Sequence, residues 1–211
     1  MTLKTKFAAL SVLALNLDPL AGPSRAAPFV YETDSQFMVT GDFNADGVTD
    51  IALVERKKGC VRYGLGLGGA RFNWAIVRSA GLEDITGVAV GKFVEAKSDS
   101  LAFAAADRNL LTLLGVTGQA APDLPILLPT NSTGPNLVYA AGNSGRAIDD
   151  LLVFSIPNGD PAPNHVARLR NDGKVFTRIS EEPTTFTGSR GKRLALKRGG
   201  KEYAVALNEE A

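Results

Sequence analysis

Short apolar stretches alternate with turn-forming residues along most of the chain, and this pattern predicts β-strands. Three of these stretches are four residues long, each follows a polar residue, and they recur at intervals of 50 residues: 51–54 after Asp50, 101–104 after Ser100 and 151–154 after Asp150. Short β-prone runs bounded by Gly, Asn, Asp and Pro are typical of strands. A fixed interval of this length between equivalent strands indicates an internal repeat.

Each repeat contains four short apolar stretches, which predict one antiparallel sheet of four strands per unit. Such sheets arranged radially are the blades of a β-propeller. The expected fold class is therefore all-β, a β-propeller of four-stranded antiparallel blades of about 50 residues. The alternative is an ordinary β-sandwich, whose strands have no fixed register of this length. Three clear repeats and a partial fourth are expected, over about 37–80, 86–130, 136–180 and 186–211.

The composition agrees with many short strands. The chain of 211 residues contains 22 Gly and 11 Pro, which favour turns over long helices, and 45% of its residues are hydrophobic, enough to form a core. With 23 Lys and Arg against 22 Asp and Glu, the formal net charge is +1 and does not indicate binding to nucleic acid. Cys60 is the single cysteine, so no intrachain disulfide can form.

The first 27 residues are predicted to be a secretory signal peptide rather than part of the fold. Two lysines precede an apolar run over 7–17, and the small residues Ser24 and Ala26 come before a cleavage point. The apolar run is too short for a transmembrane helix, and a buried N-terminal helix is the alternative. We expect the mature domain, 28–211, to be secreted into a periplasmic or extracellular location.

Residues 41–50 carry the one local pattern from which chemistry can be read directly. Oxygen-bearing side chains stand at positions 1, 3, 5 and 9 of a loop that begins at Asp42. Gly47 at position 6 suits a sharp turn, because glycine reaches positive φ without steric cost. A hard cation such as Ca²⁺ takes about six to eight oxygen ligands. We therefore predict a Ca²⁺ site whose ligands are the side chains of Asp42, Asn44, Asp46 and Asp50 and the backbone carbonyl of Val48.

This loop begins like an EF-hand but does not continue as one. An EF-hand has Glu at position 12, where this chain has Leu53, and the flanking segments 36–40 and 51–54 are β-prone rather than helical. The alternative is an acidic turn in which Asp and Asn side chains accept hydrogen bonds from their own backbone. Three carboxylates this close together repel one another, which favours a bound cation.

Residues 41–53 read Gly-Asp-Phe-Asn-Ala-Asp-Gly-Val-Thr-Asp-Ile-Ala-Leu, and together with 64–72 they resemble the FG-GAP/VCBS repeat of integrin-type β-propellers. The resemblance covers 37–179 and extends in part to 186–208. It implies a propeller whose blades carry calcium-binding loops, and an FG-GAP/VCBS-like domain over 28–211.

The second and third units depart from this pattern at the metal loop. In unit two, Lys92 replaces the first ligand and the glycine is lost. In unit three, the loop over 143–150 is shorter and carries Arg146. The resemblance therefore implies that the repeated fold has survived three times and the metal loop once.

The two ends of the mature chain leave ring closure open. Strands expected at 193–197 and 202–207 match the middle hairpin of a fourth unit that lacks an outer strand, whereas 29–33 is an expected outer strand without a unit of its own. Pairing these segments would close a four-bladed ring and remove exposed sheet edges. FG-GAP propellers usually have more blades, so a truncated part of a longer protein is the alternative.

Candidate catalytic residues are few. Cys60 and the single histidine, His165, are about a hundred residues apart, and a lone strand cysteine is commonly a small buried hydrophobe. The Gly-rich stretch 64–69 is expected to be a hairpin turn, because no helix follows it to bind phosphate. Asn131 begins a glycosylation sequon. The basic run 190–198 is expected to be a solvated face, with contact to an acidic partner as the alternative.

These patterns favour a secreted, calcium-stabilised repeat protein that acts as a binding or scaffold module for an unknown protein or glycan. The alternative is a secreted hydrolase or lyase with its site in the propeller channel or in a C-terminal part beyond this sequence. The expected innermost strands contain Phe37-Met38-Val39 and Val88-Ala89-Val90. Such apolar residues do not favour a catalytic channel, although a fold alone does not define a function.

Overall fold

The structure is a computed structural model, and it describes residues 28–105, 108, 110–116, 124–125, 132–142, 146–157, 164–173, 175–184, 193–198 and 201–206. The predicted signal peptide (1–27), Asn131 and the start of the predicted basic run lie outside these described residues.

The described part of the chain forms fifteen β-strands in four sheets, in which every strand pair is antiparallel, and it contains no helix. The prediction of an all-β fold is confirmed. In the first sheet the strands lie side by side in the order in which they occur along the chain: β1 (Phe29–Glu32), β2 (Gln36–Gly41), β3 (Asp50–Glu55), β4 (Cys60–Gly66) and β5 (Phe72–Ser79).

The second and third sheets are four-stranded meanders with the same connectivity. The second contains β6 (Ile85–Gly91), β7 (Ser100–Ala105), β8 (Leu110–Leu114) and β9 (Leu124–Pro125). The third contains β10 (Ser132–Ala141), β11 (Asp150–Pro157), β12 (Asn164–Asn171) and β13 (Phe176–Thr184). The fourth is a hairpin of β14 (Arg193–Arg198) and β15 (Lys201–Ala206).

Equivalent strands keep the 50-residue register that the apolar pattern predicts. The strands β3, β7 and β11 begin at Asp50, Ser100 and Asp150. In each sheet this first residue pairs with the last residue of the preceding strand, and the pairs are Gly41↔Asp50, Gly91↔Ser100 and Ala141↔Asp150. The loop between the two residues of each pair therefore lies at the same place in three sheets.

The position of β1 differs from the prediction. Segment 29–33 was expected to be an outer strand without a unit of its own, with its pairing to the last hairpin left open, and β1 pairs with β2 as the edge strand of the first sheet. The last hairpin forms a sheet of its own, and its strand β14 lies beside β1. The sequence left the pairing open because a short β-prone segment does not itself encode which of several nearby edges it will join.

The second sheet lies between the first and the third and is buried on both faces. All six residues of β7 are buried. Because successive strand residues point to opposite faces, Leu101 and Phe103 pack into the core shared with the first sheet, whereas Ala102 and Ala104 pack into the core shared with the third. This two-sided burial explains why the β7 sequence is continuously apolar instead of alternating.

Within the described residues, no helix is long and apolar enough to cross a membrane.

Candidate metal centre at the first corner loop

Three connections at equivalent places join β2 to β3, β6 to β7 and β10 to β11, and we call them the corner loops: 42–49, 92–99 and 142–149. Their residues are numbered by position, so that position 1 is residue 42, 92 or 142 and position 9 is the residue that opens the next strand. The first corner loop contains the predicted calcium ligands.

The carboxylate of Asp42, at position 1, accepts hydrogen bonds from backbone N–H groups later in the first corner loop. The Asp46 N–H donates to Asp42 Oδ1 at 3.1 Å and the Gly47 N–H donates to Asp42 Oδ2 at 3.2 Å. This tight path requires positive φ at two residues, 62° at Ala45 and 82° at Gly47. Gly47 adopts such a value without strain, so the glycine of the motif has the role that the sequence predicts.

The side chains at positions 3 and 5 continue the same network on the exposed side of the loop. Asn44 Oδ1 accepts the Asp46 N–H at 3.1 Å, and Asn44 Nδ2 donates to Asp46 Oδ2 at 2.7 Å. The other Asp46 oxygen accepts the N–H of Val48 at 2.7 Å. Each carboxylate oxygen has further lone pairs, so these bonds leave acceptor capacity directed at solvent.

Asp50 at position 9 is buried and its carboxylate joins the loop to two strands. Asp50 Oδ2 accepts the Phe43 N–H at 2.8 Å, and Oδ1 accepts the Gly66 N–H, at the end of β4, at 2.7 Å. Burial raises the pKa of the Asp50 carboxyl above its ordinary value, and the negative charge of Asp46 adds to this, although both N–H donors act in the opposite direction. The ionised form of Asp50 therefore lacks a nearby positive charge.

The structure brings Asp42, Asn44 and Asp46 into one hydrogen-bonded network and places Asp50 at its base, tied to backbone. Within the described residues, no three His, Cys, Asp or Glu side chains are close enough to form a metal-binding group. The available donors are carboxylate and amide oxygens, which are the ligands that Ca²⁺ takes. Two of the contributing residues, Asn44 and Asp46, are exposed and leave access for an ion. The donor chemistry therefore fits calcium.

Two functional positions that the sequence analysis did not identify join neighbouring sheets. Asp99 donates its N–H to Asp42 O at 2.8 Å, and Asp99 Oδ2 accepts the Asp42 N–H, also at 2.8 Å. Asp149 repeats this reciprocal pair with Lys92, at 2.9 and 2.8 Å. We call each pair an inter-sheet clasp. The signal in the sequence is an Asp at position 8 of the second and third loops, where the first loop has Thr49.

In the second and third corner loops, a basic side chain lies where the first has acidic ones. Lys92 Nζ donates to the carbonyls of Ala96 and Lys97, at 2.8 and 3.2 Å. In the third loop, the Arg146 guanidinium donates to Asp150 Oδ1 at 2.6 Å and also to the Asn171 carbonyl. The sequence analysis treated both residues as the loss of a metal ligand and did not foresee these contacts.

Asp150 is held by a different environment from that of Asp50. Its Oδ1 accepts the Asn171 N–H at 3.0 Å, and its Oδ2 accepts from the Arg168 guanidinium at 2.9 Å. Burial raises the pKa of Asp150, but the Asn171 N–H and the guanidiniums of Arg168 and Arg146 outweigh it, so the pKa lies below its ordinary value. Asp150 is therefore a stable carboxylate, paired with cations that the chain itself provides.

The other candidate residues are not brought together. Cys60 is half-buried on β4 in the first sheet, whereas His165 lies on β12 in the third, and the second sheet stands between them. The Gly-rich stretch ends β4 and turns into β5, with positive φ at Gly68 and Gly69 and a Leu67 N–H bonded to the Arg71 carbonyl at 2.9 Å. The prediction of a hairpin turn for this stretch is confirmed.

Comparisons with protein-family models, with curated proteins and with solved structures returned no match.

Proposed function

We propose that the chain is a secreted, calcium-stabilised repeat protein of the FG-GAP/VCBS kind, which serves as a binding or scaffold module for a protein or glycan. The observation that carries this proposal is the first corner loop, where oxygen side chains at alternate positions form one network around a glycine turn. The predicted signal peptide supports secretion and stays a prediction.

A propeller arrangement of the sheets is part of the proposal. Three meanders with equivalent registers stack face to face, and the clasps Asp42–Asp99 and Lys92–Asp149 relate each sheet to the next by the same 57-residue separation. The position of β14 beside β1 supports a fourth unit at the β1 edge of the first sheet. Repetition of one contact between successive sheets is what a radial array of blades requires.

The role proposed for calcium is structural. Asp42 takes part in the clasp to the second sheet through its backbone, and Asp50 links the loop to the ends of two strands. An ion held by Asp42, Asn44, Asp46, Asp50 and the Val48 carbonyl would therefore fix the corner of the sheet. Neutralisation of three neighbouring carboxylates would contribute to the free energy of unfolding, because an opposite charge favours their ionised forms.

The binding role is supported by an exposed apolar face on the first sheet. Cross-strand partners point to the same side, and one row of partners crosses all five strands: Tyr31, Met38, Leu53, Arg62 and Val77. On this sheet, Tyr31 is 44% exposed, Val77 50% and Trp74 40%. The Trp74 ring lies against Gly64, where a Cβ would approach it to 2.8 Å. A supported, accessible aromatic ring of this kind suits contact with a protein or a sugar.

The calcium part of the proposal is tested by removing one ligand that does not hold a strand. We expect the melting temperature of the wild-type chain to rise when millimolar calcium replaces EDTA, because binding to the folded state stabilises it. In Asp46→Ala the rise should be absent, and the melting temperature in calcium should fall to the value in EDTA.

Asp34→Ala is the matched control, because Asp34 is an exposed aspartate in the turn between β1 and β2. This variant should keep the full calcium-dependent rise. A wild-type melting temperature that is the same in EDTA and in calcium would contradict a structural calcium site. The hydrolase or lyase alternative stays a prediction, and none of the contacts described above favours it.

A further inference from the structure

We propose that the second and third corner loops are held by cations of the chain itself, the ammonium group of Lys92 and the guanidinium group of Arg146. In this account the corner of every sheet requires a positive charge, which the second and third units carry covalently and the first unit takes from solution. The comparison with the first loop rests on the function proposed above, whereas the contacts of Lys92 and Arg146 do not.

The residues that provide the charge stand at ligand positions of the first loop. Lys92 is at position 1, the place of Asp42, and Arg146 is at position 5, the place of Asp46. The strand registers place these positions alike, since the pairs Gly41↔Asp50 and Gly91↔Ser100 close the first two loops in the same way. The sequence alone shows a basic residue in place of an acidic one, and the structure shows what the basic group contacts.

Lys92 contacts the same two loop positions as Asp42, but its side chain donates hydrogen bonds where that of Asp42 accepts them. The Asp42 carboxylate accepts the N–H groups of positions 5 and 6, Asp46 and Gly47. The Lys92 ammonium instead donates to the carbonyl groups of positions 5 and 6, Ala96 and Lys97. The peptide units of the two loops therefore face the first position in opposite senses. Both carbonyl oxygens accept from the Lys92 ammonium, and a hydrogen bond from a charged donor is stronger than one between neutral groups.

Arg146 acts on the residue at position 9. Its guanidinium joins Asp150, which is buried, to the carbonyl of Asn171, the last residue of the third strand in its sheet. In the first sheet, Asp50 accepts the N–H of Gly66, the last residue of β4, as Asp150 accepts the N–H of Asn171. A guanidinium is rarely deprotonated and donates in a planar fork, so it neutralises the carboxylate and joins two strands without a metal.

The second corner loop has a different residue at position 9, which explains why it needs its cation elsewhere. Ser100 is uncharged, and its hydroxyl accepts from the Phe93 N–H at 3.1 Å and donates to the Gly91 carbonyl at 3.0 Å. Position 9 of this loop therefore has no carboxylate to be neutralised. The positive charge of Lys92 serves the loop carbonyls, whereas that of Arg146 serves the buried Asp150.

The first experiment compares two lysines of the same loop by thermal unfolding in EDTA. Lys92→Met keeps the aliphatic stem and removes the charge, and we expect the melting temperature to fall by about 2–6 °C. The matched control is Lys97→Met, in an exposed residue that contributes only its carbonyl, and it should melt within about 1 °C of the wild type. Equal melting temperatures for the two variants would overturn the role of Lys92, whether or not the chain binds calcium.

The second experiment introduces an arginine into the first corner loop at the position that Arg146 occupies in the third. Asp46→Arg recreates at 46 and 50 the spacing of Arg146 and Asp150. In EDTA this variant should melt above Asp46→Ala by about 2–6 °C, and added calcium should not raise its melting temperature further. Equal melting temperatures of the two variants in EDTA would overturn the inference. A wild-type chain indifferent to calcium would instead contradict the calcium site alone, because the comparison in EDTA involves no metal.

Discussion

Position 9 of the corner loops shows how one backbone requirement is met by three side chains. Asp50, Ser100 and Asp150 are all buried, and each accepts a hydrogen bond from a backbone N–H, which Phe43, Phe93 and Asn171 donate respectively. The pKa of Asp50 is raised because burial is not balanced by a cation, whereas the pKa of Asp150 is lowered because two guanidiniums adjoin it. Among the groups that act on these two carboxyls, only those around Asp150 include cations.

At the residue scale, the stability contributed by Asp150 should depend on pH. Its pKa in the folded state lies below the ordinary 3.8, so its stabilising effect is present above that value and is lost as the pH falls through the lowered pKa. Asp150→Asn should reduce the free energy of unfolding at pH 7 by about 1–3 kcal/mol, since it removes the carboxylate that Arg146 and Arg168 share. Urea unfolding of both chains at decreasing pH measures this.

The expected result of that series is a difference between wild type and Asp150→Asn that shrinks as the pH falls below about 4. A difference that stays constant down to the lowest pH at which both chains fold would show that the ionisation of Asp150 does not contribute.

At the scale of elements, the sequence largely predicted where the strands lie. It did not predict which strand β1 pairs with, or which residues join one sheet to the next. The 50-residue recurrence of apolar stretches defines β3, β7 and β11, because a repeat forces equivalent residues into equivalent environments. The pairing of β1 with β2 and the clasps of Asp99 and Asp149 depend on contacts between segments that no local pattern joins. The basic residues of the second and third corner loops were visible in the sequence, but their acceptors are mostly backbone carbonyls, which the sequence does not distinguish.

The clasp between the first two sheets should be measurable as an element-scale contribution to stability. Asp99→Ala removes the acceptor of the Asp42 N–H, which is buried. An unsatisfied buried donor costs about 1–3 kcal/mol, so the free energy of unfolding should fall by that amount. Chemical denaturation measures it, with Asp34→Ala as the exposed control. A loss no greater than that of the control would show that the clasp does not hold the sheets together.

At the scale of the whole molecule, the three sheets form a stack joined by two apolar cores and two clasps, with one corner stabilised differently from the rest. The second sheet contributes to both cores, so the stack cannot separate at either interface without exposing its apolar residues to water. In the account proposed above, the cations of Lys92 and Arg146 make the second and third corners independent of calcium. The first corner is then the part of the molecule whose stability responds to calcium.

The central claim is that this chain has one calcium-dependent corner, and calorimetric titration of the metal-stripped mature chain with CaCl₂ tests it most directly. We predict one ion per chain, with a dissociation constant of about 10⁻⁴–10⁻³ M, as in extracellular calcium modules. The heat of binding should be absent in Asp46→Ala and retained in Asp34→Ala. No binding by the wild-type chain up to about 10 mM calcium, or equal binding by Asp46→Ala, would contradict the claim.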